Sequence, residues 1–108
     1  MGDSIVPHDF QGEFVPYQSE DGVSRVQVRL ADESVWLTQR QMAELFQTTK
    51  QNVSFHIGNV FREGELAPEA TVKAYLVVAR EGTRMVHRLV DHHNLEVILA
   101  VGYRVRLH

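Results

Sequence analysis

The run TQRQMAELFQTTKQNVSFHIGNVF, Thr38 to Phe61, decides the fold, because here the apolar spacing changes from two residues to about 3.6. Thr38 is an N-cap residue, and Gln41 stands three positions on as its capping-box partner. Met42, Ala43, Leu45 and Phe46 then fall on one face of a short helix. Gln47-Thr48-Thr49 interrupts that helix, and a second begins near Lys50 with Thr49 as its cap. Val53, Ile57, Val60 and Phe61 recur at helical spacing, and Gly64 sits where a glycine closes a helix. Two short helices joined by a tight turn predict a helix-turn-helix, whose second helix can enter a major groove about 12 Å wide. Such packing needs a small residue at the helix contact, supplied by Ala43, and apolar residues around the turn, supplied by Leu45, Phe46, Val53 and Ile57.

The outward face of the second helix carries the candidate site. Lys50, Gln51, Asn52 and Ser54 cluster at its N-terminus, the end that meets base edges, and Lys50 is their one charge. Helices that are merely solvated carry Glu/Lys pairs instead. Thr48 and Thr49 are placed to donate to phosphate beside the helix N-terminal amides. His56 falls near the groove-facing edge, where phosphate contact and packing are both open. The competing reading of the whole segment is an αα-corner that packs a core and touches nothing; in its favour, many helix-turn-helix segments have glycine in the turn where this chain has Gln47.

Upstream, Phe14 to Gln18 reads as a strand that Pro16 confines to a sheet edge. After the turn Ser19-Glu20-Asp21-Gly22, Val26, Val28 and Leu30 alternate with Arg25, Gln27 and Arg29, predicting a half-buried strand. Ala31 to Ser34 turns the chain into a third short strand, Val35-Trp36-Leu37, completing an antiparallel meander. Downstream, Val72 to Ala79 and Arg84 to Val90 predict a hairpin around Arg80-Glu81-Gly82-Thr83. With Lys73, Arg80, Arg84 and Arg88 against Glu81 alone, this hairpin suits a basic wing whose Arg80 and Arg84 reach the neighbouring backbone. Asp91 is the expected cap of a closing helix that contains Leu95, Val97, Ile98, Leu99 and Val101 and ends at Gly102. The fold expected is α+β and winged-helix-like: meander, helix-turn-helix, hairpin and C-terminal helix over residues 13–108, behind a flexible acidic lead-in at 1–12.

Composition narrows the function classes. The chain has 108 residues, a net charge of −3 and no cysteine, which excludes disulfides and thiolate metal sites and makes the reducing cytosol the simplest compartment. The negative charge argues mildly against nucleic acid, but residues 1–22 hold five acids and no Lys or Arg, while the remainder holds nine acids against eleven Lys and Arg. His56, His87, His92 and His93 lack metal-ligand spacing, so no metal or cofactor is expected; His92 and His93 read as exposed residues of a helix's first turn. Trp36 and Tyr103 read as packed, and Glu63 and Glu65 as a solvated helix end with no nucleophile or pocket signature beside them, so no enzyme is expected.

The run VWLTQRQMAELFQTTKQNVSFHIGNVFREGEL, with YQSEDG and VQVRL before it and NLEVILAVGYRVR after it, resembles the N-terminal domain of the bacterial RhuM virulence-protein family. The resemblance spans about Phe14 to Arg106, and the blocks WLTQ, MAELF, TTKQN, EGEL and VGYRV are its specific parts. It implies a DNA-binding regulator from bacterial mobile or virulence regions, and no catalytic residues. Family members usually continue beyond the segment matching Tyr103-Arg104-Val105, the stretch from Leu76 to Leu89 is diverged, and residues 1–12 have no counterpart. The function expected is double-stranded DNA binding; the alternative is a protein-interaction or oligomerisation module of a larger RhuM-like protein. The surplus of apolar residues in the closing helix predicts a homodimer through residues 92–106, or docking of a further C-terminal region there.

Overall fold

The computed structural model describes residues 13–106, so the lead-in expected at 1–12 lies outside the described residues. Strands β1 (Glu13–Gln18), β2 (Arg25–Ala31) and β3 (Ser34–Thr38) form the antiparallel meander, with Phe14 opposite Arg29 and Arg29 opposite Trp36. Asp32 and Glu33 turn β2 into β3 with φ of 49° and 58°, the two left-handed residues of a tight hairpin. Thr38 then caps α1 (Gln39–Phe46) through the full capping box: its Oγ1 accepts the Gln41 N–H at 3.0 Å, and the Gln41 Oε1 accepts the Thr38 N–H at 2.9 Å. The same Gln41 donates its amide to the Gln27 carbonyl at 2.8 Å, tying α1 to β2.

Helix α2 (Lys50–Arg62) follows, and Gly64 closes it with φ of 74°. A short helix, α3 (Pro68–Thr71), starts on Pro68 where a proline is harmless and leads into the hairpin. Its strands are β4 (Val72–Glu81) and β5 (Arg84–His93), so the turn is Gly82-Thr83, and Arg80 and Glu81 belong to the strand rather than the turn. Helix α4 (Leu95–Arg106) completes the described chain.

The protein is thus α+β, with, among the described residues, a five-stranded antiparallel sheet in the order β1-β2-β3-β5-β4 and four helices. Meander and hairpin are one sheet, joined by the pairs Leu37–His93 and Thr38–His92. This junction corrects two expectations. Strand β5 continues to His93 because Asp91, His92 and His93 still pair with β4, so Asn94 rather than Asp91 caps α4: its Oδ1 accepts the Val97 N–H at 3.3 Å. His92 and His93 are therefore buried strand residues, not exposed ones at a helix start.

One face of the sheet carries the helices. Leu37 packs there with Met42, Val53, Ile57, Val97 and Val101 in the main core. The opposite face holds a second cluster. Arg29, read from its alternation as solvent-facing, is 4% exposed between the rings of Phe14 and Tyr75, at 4.7 and 4.4 Å from their centroids. Trp36 and His92 meet Tyr75 edge-on, and the Trp36 indole donates to the Ala31 carbonyl at 2.8 Å. Among the described residues no helix is long and apolar enough to cross a membrane.

Gly102 does not end α4, which runs on to Arg106. The residue is a packing contact: a Cβ there would lie 2.8 Å from Cζ of Phe46 on α1. Alanine is the better helix former by about 1 kcal/mol, yet overpacking costs about 1–3 kcal/mol. Gly102→Ala should therefore lower stability by up to about 2 kcal/mol in denaturant unfolding, and pairing it with Phe46→Leu should recover most of the loss. A stabilised single variant would contradict the contact.

Candidate nucleic-acid interface

The turn between α1 and α2 is built without glycine. Gln47 itself takes the left-handed conformation, φ 54° and ψ 52°, which costs an ordinary residue about 1–2 kcal/mol. Local bonds hold it there. The Thr48 N–H donates to the Ala43 carbonyl at 2.9 Å, and Ser24, 2% exposed at the head of β2, donates its hydroxyl to the Glu44 carbonyl at 2.9 Å. Ser24 thus adds a second, shorter bond to a carbonyl at the end of α1 that also accepts the Gln47 N–H at 3.3 Å.

The predicted site residues then divide by helical phase. Val53, His56, Ile57 and Val60 form the inward face of α2. His56 is 4% exposed, so of the two roles open to it, phosphate contact and packing, it takes the packed one. Lys50, Gln51 and Ser54 are exposed at the N-terminal end of the outward face. Thr49 Oγ1 accepts the Asn52 N–H at 3.0 Å, and Thr48 Oγ1 accepts the Asn52 side-chain amide at 2.9 Å. Asn52 is half-buried and fastens the turn rather than pointing outward. Both threonine hydroxyls accept within the chain and keep their own hydrogens to donate to an incoming oxygen.

The hairpin comes back alongside this end of α2. A cleft of about 840 Å³ is lined by Arg40 and Lys50 from the helices and by Arg80 and Arg88 from the hairpin, with Thr38 at its floor. Its acids are Glu81 and Asp91, and Glu81 is paired with Arg88. The structure thus brings Lys50 and Arg80 together across the cleft. Arg84 does not line it and stands exposed beside the hairpin turn. Lys73 faces elsewhere, paired with Asp32 and 5.3 Å from the Trp36 ring centroid. The sequence pattern did not single out Arg40; its place in the first turn after the Thr38 cap was the available signal. It also passed over Phe55, which is 63% exposed on α2. Glu63 and Glu65, read as a solvated end, both accept from Arg104 of α4 at 2.8 Å.

Compared with family models, with curated proteins and with solved structures, the chain finds no match. The resemblance to the RhuM family therefore stands on its sequence blocks alone.

The two histidines at the base of the hairpin give the body a pH dependence. Burial pulls His92 below its ordinary 6.5, with Arg29 adding to the effect and the Val90 carbonyl and Asp91 opposing it. Burial pulls His93 down as well, helped by His92 and opposed by Asp91 and a backbone bond to Leu37. Below 6.5 the unfolded chain binds protons that the folded one does not, so stability falls as pH drops below that value. Thermal unfolding should show a midpoint that is flat above about pH 7 and declines below it, with proton uptake on unfolding near pH 6. A midpoint that rises over that interval would contradict the buried, neutral state of both rings.

Proposed function

We propose that this chain binds double-stranded DNA as a winged-helix-like domain, with α2 in the major groove and the hairpin β4–β5 along the adjoining backbone. The observation that carries the reading is the cleft in which Arg40 and Lys50 of the helices meet Arg80 and Arg88 of the hairpin. Cations from two separate elements converge beside the polar N-terminus of α2, where a phosphate backbone would be held. Gln51 and Ser54 would then meet base edges, while Thr48, Thr49 and Arg84 would donate to phosphates. A regulatory role in bacterial mobile or virulence regions is the part of this reading that rests on the RhuM-like sequence blocks.

The sparse cation set implies few phosphate contacts, so binding should be weak for one copy and fall steeply with salt. Each phosphate contact removed should flatten the logarithmic salt slope by about 0.9. A gel-shift series should therefore show Lys50→Ala and Arg80→Ala each weakening binding and flattening the slope, with Glu44→Gln as the neutral control. Parent binding that ignores salt, or no binding at low salt, would overturn the proposal.

A second reading, self-association, is favoured by a different surface. The homodimer expected through residues 92–106 cannot use Val97 and Val101, which are fully buried. Leu95, Leu99 and Tyr103, spaced four apart, instead form an exposed stripe on α4; Leu99 is 63% and Tyr103 68% exposed. The stripe is self-complementary. An antiparallel pairing of two α4 helices that sets Leu99 against the partner's Tyr103 also sets Glu96 against the partner's Arg106. A two-fold interface of this kind would present two copies of α2 to successive half-sites. Sedimentation should show a parent dimer, a folded monomer for Leu99→Glu, a weakened dimer for Glu96→Arg, and recovery when Arg106→Glu is added. A parent that stays monomeric at high concentration would exclude this surface as a self-contact.

A further inference from the structure

Phe55 is a large apolar side chain left outside the buried face of α2. The inward face of α2 is filled by Val53, His56, Ile57 and Val60, and Phe55 lies on the other side at 63% exposure. Its ring meets the adjacent His56 edge-on, at 5.5 Å between centroids. By helical spacing it stands one turn after Gln51 and beside Ser54. Gly58 follows three residues later on the same side. A glycine inside a helix is unfavourable, and this chain's own packing does not require one here: a Cβ at Gly58 would meet only the Arg62 guanidinium, at an ordinary 3.6 Å. The outward face therefore offers two hydrogen-bonding side chains, then an apolar ring, then a bare stretch of helix against which an external surface can come close.

We propose that Phe55 reads the C5-methyl group of a pyrimidine in the major groove, with Gly58 permitting the approach. The inference rests on the reading of α2 as the groove helix and adds to it a specificity-determining residue. Of the four unmodified bases, thymine alone presents an apolar group on its major-groove edge, and a phenylalanine ring is one of the surfaces that packs on it. 5-Methylcytosine presents the same group, so the chemistry recognised is the methyl itself. Gln51 and Ser54, being polar, would read the neighbouring donors and acceptors.

The test uses the full chain and a duplex selected from a random pool at low salt. Each thymine is replaced in turn by deoxyuridine, which removes only the methyl, and each cytosine by 5-methylcytosine, which adds it. One thymine is expected to lose about fourfold in affinity on replacement, the equivalent of about 0.8 kcal/mol for one buried methyl. That difference should vanish in Phe55→Ala and partly return in Phe55→Leu. If thymine replacement is silent but adding a methyl to one cytosine strengthens binding through Phe55, the source of the methyl is the modified base. Gly58→Ala should weaken binding while leaving the helix at least as stable by circular dichroism. Parent binding that is indifferent to every methyl change, or discrimination that survives in Phe55→Ala, would overturn the assignment to Phe55 and leave the DNA reading standing. A pool from which no duplex is retained at low salt would overturn both.

Discussion

The hydroxyl of Ser24 donating to the carbonyl of Glu44 is a small contact on which the candidate site depends. It reaches from the first residue below the β1–β2 turn to the open end of α1, and so fixes that helix end against the sheet. Gln47, left-handed beside it, then sets the direction in which α2 leaves. With that direction set, Val53, Ile57 and Val60 fall into the core, and Lys50, Gln51 and Ser54 are left on the outside. Loss of the Ser24 bond would leave the Glu44 carbonyl with only the longer 3.3 Å bond from the Gln47 N–H, at the turn that aims the helix.

A second constraint aims the hairpin. Strand β5 meets β3 at only two residue pairs, at the base of two ten-residue strands. Further attachments are Arg29 between Phe14 and Tyr75, with its guanidinium donating to the Leu76 carbonyl at 3.4 Å, and Lys73 of β4 paired with Asp32 of the β2–β3 turn. A desolvated guanidinium on an aromatic face contributes about 2 kcal/mol, and here one cation spans β1, β2 and β4. That stack and the junction beside His92 set where Arg80 and Arg88 stand relative to Lys50.

What the sequence made legible was local. The capping box of Thr38 and Gln41, the Thr49 cap and the helix-closing Gly64 are short-range patterns, and each element they mark is present. Pro16 likewise marked an edge strand. Long-range features were not legible. Alternation placed Arg29 on a polar face, and no sequence rule announces that two rings from β1 and β4 will enclose it. Gly102 looked like a terminator because its partner, Phe46, lies far away in the chain. The histidines at 92 and 93 were misplaced because the strand that buries them continues through a run with no apolar alternation. His56 was within reach: 53, 56, 57 and 60 share one helical face, and that spacing marks His56 as core. Phe55 was missed for the converse reason, being an apolar residue that the core spacing leaves out.

The claim at the centre of this account is that the N-terminal face of α2 and the hairpin cleft form one DNA-binding surface. Amide chemical shifts recorded while duplex DNA is titrated into the isotope-labelled chain test it most directly. Shifts are expected to concentrate at residues 48–55 and along 80–88, with Arg40 joining them, while the outer face of α4 stays unchanged. Shifts confined to α4, or none at all at low salt, would contradict it.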